Sequence, residues 1–115
     1  MNNIIAHSSL LMLSDETVRR AMVITTRTKS NLVGILKSQM IDLLKAKLRQ
    51  GICHFAYVKK DGSYREAWGT TASNLIKAKV NGHGISRDSV NCVCYWDVDK
   101  GGFRSLRFEN LIQVF

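Results

Sequence analysis

The apolar residues of this chain change their spacing once, and the change falls at Gly51. Over Asn31 to Gln50 they recur with the period of a helix. Leu32, Val33, Ile35, Leu36, Met40, Leu43 and Leu44 gather on one broad face, with Gly34, Lys37, Ser38, Asp42, Lys45 and Arg49 mainly on the other. Ser30 stands where an N-cap is wanted, and Gly51 where a left-handed residue would end the helix. From Ile52 the period becomes two, as Cys53, Phe55 and Tyr57 alternate with His54, Ala56 and Val58. That is the pattern of a half-buried strand. A chain of 115 residues with one such switch is expected to form one small domain. Its parts are a basic helical arm over 1–50 and a β module over 51–115.

Upstream of the long helix, Ser14-Asp15-Glu16 is suited to cap a shorter one. The β-branched run Val23-Ile24-Thr25-Thr26 predicts that this helix breaks near Thr25. Downstream, Lys59-Lys60-Asp61-Gly62-Ser63 joins two alternating segments. Asp-Gly at such a place predicts a two-residue turn with positive φ at both central positions. Tyr64–Thr71 returns as the second strand, Val90–Val98 is the third, and Phe103–Phe108 follows the turn Asp99-Lys100-Gly101-Gly102. Glu109-Asn110-Leu111 forms one tight turn before a last strand, Ile112–Phe115. The polar stretch Thr71–Ser89, with Asn81-Gly82-His83-Gly84, is a long connection. The expected fold class is α+β and mainly β: a five-stranded SH3-like or Sm-like small barrel preceded by an amphipathic helix. Closure would remove the edges that an open sheet exposes.

Charge narrows the choice of partner. Lys and Arg number 17 against 9 Asp and Glu, a net +8, while 45% hydrophobic content argues against a disordered chain. Between Thr17 and Arg49 eight basic side chains face only Asp42. Such a balance favours polyanions. Lys45, Lys47 and Arg49 also have a plainer explanation, because the last turns of a helix favour cations. No apolar run is long enough to span a membrane, and the N-terminus lacks the basic start of a secretory signal. Three cysteines, an odd number, suit a reducing cytoplasm, that of a bacterium or of a phage host.

Two segments carry a family resemblance. His54-Phe55-Ala56-Tyr57-Val58-Lys59-Lys60-Asp61-Gly62-Ser63-Tyr64-Arg65 resembles the first hairpin of WYL-type domains. Tyr95 to Ile112, with an Asp-containing turn leading into Phe103-Arg104-Ser105-Leu106-Arg107-Phe108, resembles their second half. The closer likeness is to short, standalone WYL-like proteins with an Sm-like SH3 β-barrel, common in bacteriophages and bacteria. It covers 52–71 and 92–115. The family's Trp-Tyr-Leu signature would fall near Asn91-Cys92-Val93, where it is not kept. The resemblance implies a barrel that binds nucleic acid, a nucleotide-like ligand or a protein partner, and implies no enzymatic activity.

Arg104 and Arg107 match the basic positions of the family motif and are candidate phosphate clamps. Three apart on a strand, they are expected on opposite faces unless a bulge intervenes. The plainer alternative pairs them with Asp97, Asp99 or Glu109. Lys59, Lys60, Arg65, Arg19 and Arg20 complete the candidate anion-binding set. Trp68 and Tyr95 are the expected exposed stacking residues, with Trp96 inside beside Cys92, Cys94 and Val98. Cys53, Cys92 and Cys94 lack zinc-knuckle spacing and are expected in the core. His7, His54 and His83 have no recognisable nucleophile nearby, so neither catalysis nor a cofactor is expected. The leading expectation is a non-catalytic regulatory module that binds nucleic acid. The alternatives are a protein-interaction or homo-oligomeric assembly module and a small-ligand sensor.

Overall fold

The computed structural model describes residues 14–76 and 91–115. Most of the connection expected over 71–89, including Asn81-Gly82-His83-Gly84, lies outside the described residues, as do His7 and the rest of 1–13. Helix α1 spans Asp15–Thr28, with the Ser14 side chain accepting from the Thr17 N–H at 3.1 Å. The expected break at Thr25 does not occur. Ile24 is fully buried, and the Thr26 and Thr28 hydroxyls donate to the carbonyls of Met22 and Ile24 at 3.0 and 2.8 Å. Burial thus outweighs the weak β preference of this run. Lys29 ends the helix in the left-handed region, φ 62°.

Helix α2 spans Asn31–Gln50, with Ser30 as its cap, accepting from the Val33 N–H at 3.2 Å. Gly51 does end it, but with φ 166° it is extended rather than left-handed. The buried face is rotated from the one the period suggests. Leu32, Leu36 and Leu43 are 67%, 51% and 48% exposed, whereas Gly34 and Ser38 are buried with Ile41, Leu44 and Leu48. The reason is that α2 has two neighbours. Small residues let α1 approach one side: a Cβ on Gly34 would meet the Thr25 hydroxyl and stand 2.5 Å from the Ala21 carbonyl oxygen.

Arg20, buried to 1% exposure, locks the two helices together. Its guanidinium donates to the Ser38 carbonyl at 2.8 Å, to the Ser38 hydroxyl at 3.2 Å and to Asp42 at 2.7 Å. Ser38 in turn donates to the Thr17 carbonyl at 2.7 Å, and the Thr17 hydroxyl donates to Asp42 at 2.7 Å. Arg20 is therefore a structural residue and is removed from the anion-binding set.

Strands β1 (Cys53–Val58), β2 (Tyr64–Thr70), β3 (Cys92–Asp97), β4 (Gly102–Arg107) and β5 (Leu111–Val114) form one antiparallel sheet, order β4-β3-β2-β1-β5. The tight turn expected before the last strand is a single 3₁₀ turn, Phe108–Asn110. The β1–β2 turn also falls where expected, but only Gly62 has positive φ, 90°. Asp61 instead ties the turn down by accepting from the N–H and hydroxyl of Ser63, at 2.9 and 2.6 Å. β2 and β3 pair only at Gly69↔Asp97 and Thr70↔Trp96, so the two hairpins splay apart beyond that corner. β4 and β5 share no ladder; the 3₁₀ turn bridges them, and the barrel closes through packing rather than a ring of hydrogen bonds.

The core does not respect the boundary at residue 51. Ile24, Ile41, Leu44 and Leu48 pack in one cluster with Phe55, Tyr95, Leu106, Phe108 and Leu111 from the β part. Lys37 donates to the carbonyls of Glu109 and Leu111 at 3.0 and 2.6 Å, and Arg27 pairs with Glu109 at 2.7 Å. The helices share one core with the β part rather than standing off it as an arm.

Three outcomes check this packing in urea unfolding. Gly34→Ala should destabilise by ~1–2 kcal/mol even though alanine is the better helix former, because the clash with α1 exceeds the propensity gain. Arg20→Ala should cost about 3 kcal/mol, from the cavity and from Ser38 groups left without a donor. Asp42→Asn should cost under about 1 kcal/mol, since that carboxylate is 42% exposed and screened.

Candidate functional site

The splay of the hairpins opens a groove of about 550 Å³. One wall is the end of β1, the following turn and the start of β2, which contribute Lys59, Lys60 and Arg65. The other is edge strand β4, which contributes Arg104 and Arg107. Five of the seven cations singled out in the sequence thus line one concavity. Arg104 and Arg107 do lie on opposite faces of β4, as expected in the absence of a bulge, yet both line this groove. The β3–β4 register is regular from Asp97↔Gly102 to Cys92↔Arg107. The groove runs along β4 at its unpaired edge, so residues of both faces reach it.

Asp97 organises this site. It is 2% exposed, and its Oδ2 accepts from the Arg65 guanidinium at 3.2 Å and lies 3.1 Å from Arg104 Nε. Its Oδ1 accepts from the Lys100 N–H at 2.9 Å, pinning the β3–β4 turn to the same carboxylate. Arg104 therefore does make the plainer pairing with Asp97, yet its side chain stays 37% exposed and still lines the groove. One carboxylate positions two guanidiniums, which leaves the groove strongly cationic. Among the described residues no carboxylate forms an ion pair with Lys60 or Arg107, and Lys59 has only the exposed Asp61 near enough to feel its charge.

The two remaining basic candidates lie elsewhere. Arg20 is buried as described, and Arg19 donates to the Asn91 side chain at 3.1 Å, away from the groove. Most other cations of the helices are occupied too. Lys45 pairs with Glu16 at 3.0 Å, and Lys47 donates to the Phe115 carbonyl at 2.9 Å.

The aromatic expectations need correction. Tyr95 is fully buried, edge-on to Phe55 at 4.9 Å, with its hydroxyl 2.7 Å from that of Tyr57. Burial first, and then the Tyr57 hydrogen bond, push its ionisation far above the ordinary tyrosine range. Val93 and Tyr95 face the core, so Trp96 lies on the opposite face, buried edge-on against Phe103 at 5.0 Å. Trp68 is exposed as expected, at 42%, but stacks on His54, which in turn stacks on Phe115, both at 4.2 Å. None of these three lines the groove. The aromatic that sequence reasoning missed is Phe103, 41% exposed and part of the β4 wall. The available signal was an aromatic directly after Gly101-Gly102, at the start of a terminal hairpin strand.

Cys53 is buried in the core, and desolvation raises its thiol ionisation. Cys92 and Cys94 are only half buried, contrary to expectation. Among the described residues, no three His, Cys, Asp or Glu side chains gather as a metal site would require. Nor, among them, is any helix long and apolar enough to cross a membrane.

Comparison with known proteins agrees with this architecture. The chain is 26% identical over 76 residues to the "Uncharacterized 11.5 kDa protein in Gp31-cd intergenic region" of Enterobacteria phage T4, covering 64% of this chain and 74% of that protein. No solved structure matches. A family model described as WYL_2, Sm-like SH3 beta-barrel fold, matches residues 41–112. That span reaches back into α2, beyond the β segments that carry the sequence resemblance. The chain belongs to the WYL_2 family of Sm-like SH3 β-barrels.

Proposed function

We propose that this protein is a non-catalytic regulatory module that binds nucleic acid through its phosphates, along the groove between the two hairpins. One observation carries the reading: five cations from two separate hairpins converge on a single concavity, against one buried carboxylate. Guanidiniums held by Asp97 are pre-oriented, so little side-chain entropy is lost when they meet a phosphate. Lys59, Lys60 and Arg107 add charge without a set geometry, which suits a repeating backbone. The helices act as scaffold in this reading rather than as an electrostatic arm. The phage relative supports a setting in a bacterial or phage-host cytoplasm, where such a polyanion is abundant.

A second reading, assembly with another chain, is favoured by the ends of the sheet. Among the described residues β4 and β5 each lack a neighbour on one side, and an unpaired edge is a template for pairing. The two readings compete for β4, since a strand added there would cover one wall of the groove.

Fluorescence anisotropy with single- and double-stranded DNA and RNA tests the proposal. Binding should weaken steeply between low and moderate salt, because each neutralised phosphate releases counterions. Removing Lys60 and Arg107 together should lower low-salt affinity at least about ten-fold and flatten the salt dependence by about one unit per lost contact. Arg49→Gln on α2 should change neither. Absence of binding to every one of these polymers at low salt refutes the reading. A light-scattering mass of a closed oligomer, lost on substitution of β4, would favour assembly instead.

A further inference from the structure

We infer that the groove selects single-stranded nucleic acid over duplex, with one base stacked on Phe103. This rests on the reading above and adds a polymer form and a residue to it. Three observations lead here. The groove, at about 550 Å³, is of the size that encloses a small organic ligand, enough for about one nucleotide of a strand. A duplex, with its bases stacked inside and two backbones outside, has no single unit that fits such a space.

The cations stand on both walls rather than on one convex face, with Lys59, Lys60 and Arg65 opposite Arg104 and Arg107. That arrangement embraces one backbone from two sides. A flat or convex patch would suit the broad cylinder of a duplex better. The third observation is chemical. Phe103 is an aromatic left 41% exposed within a cationic lining, and among the described residues it is the one large apolar side chain of this groove that stands open to solvent.

Phe103 is also held in place. It lies directly across from Trp96 in the β3–β4 register, and the two rings meet edge to face at 78°, with Trp96 only 6% exposed. A ring braced on one side and open on the other is a stacking platform that needs no reorganisation. Every base has a π-face, so such a platform tolerates any sequence. Its neighbour Arg104, opposite Tyr95 in the register, points to the other face of β4 and is fixed by Asp97, so ring and guanidinium flank the free edge of the strand, where a phosphate adjoining the stacked base would lie.

The test is anisotropy with a short labelled oligothymidylate, alone and annealed to oligoadenylate. The wild-type protein should prefer the single strand by about ten-fold. Phe103→Ala should lower single-strand affinity about ten-fold, while duplex affinity and both salt slopes stay unchanged. Phe103→Leu retains apolar volume without a π-face and should show the same loss, whereas Phe103→Tyr should bind as wild type. Circular dichroism confirms that each variant is folded. Equal wild-type affinity for strand and duplex, or a leucine variant that binds like wild type, overturns the stacking inference and leaves the phosphate reading standing. Failure of the wild type to bind either form overturns the stacking inference, and it overturns the phosphate reading as well once single- and double-stranded RNA also fail to bind at low salt.

Discussion

The burial of one side of α2 against the sheet is the contact on which the rest of this molecule depends. A β part of some sixty residues has little interior of its own, since small domains bury a small fraction of their surface. Ile41, Leu44 and Leu48 supply apolar volume to a cluster that also holds Phe55, Tyr95 and Leu111. Thr70 and Thr71 both donate to the Leu48 carbonyl, at 3.1 and 2.9 Å, so the end of β2 is tied to the helix. That tie lies at the corner where β2 meets β3 for only two residue pairs. The splay that opens the groove is therefore anchored from the helical side.

The basic residues divide into two populations with different physical roles. Those of the helices are largely turned inward, onto carboxylates and carbonyls. Arg20 bridges α1 to α2, while Arg27 and Lys37 bridge the helices to the 3₁₀ turn and β5. Burial lowers the Lys37 ionisation, and Glu109 pulls it partly back up. The cations of the hairpins converge on one groove with Asp97 beneath them. Exposed ion pairs contribute little to stability, typically under about 1 kcal/mol. A cluster of like charges is mildly unfavourable for the free fold.

Much of the fold was legible in the sequence because it is set locally. Ser14 and Ser30 cap their helices through their own side chains, and the change of period at Gly51 separates helix from strand where the structure does. Gly62 and Gly101 mark the hairpin turns with positive φ. The charged half of the candidate site was equally legible, since Lys59, Lys60, Arg65, Arg104 and Arg107 all line the groove. The aromatic half was not. Tyr95 and Phe103 sit on neighbouring strands with similar local surroundings, yet one is fully buried and the other 41% exposed.

Sequence by itself determined the kinds of elements, the caps that start the helices, the order of the elements and the sign of the charge, because periodicity, caps and turn residues act within a few bonds of where they stand. Tertiary structure decided which way each element faces. α2 turns Gly34 and Ser38 inward because α1 must approach closely there, and no period on one helix encodes the position of another. It also decided which cations are tied into the fold and which line the groove. That sorting depends on where carboxylates and carbonyls from distant segments arrive: Arg20 meets Asp42 across 22 residues, and Arg65 meets Asp97 across 32.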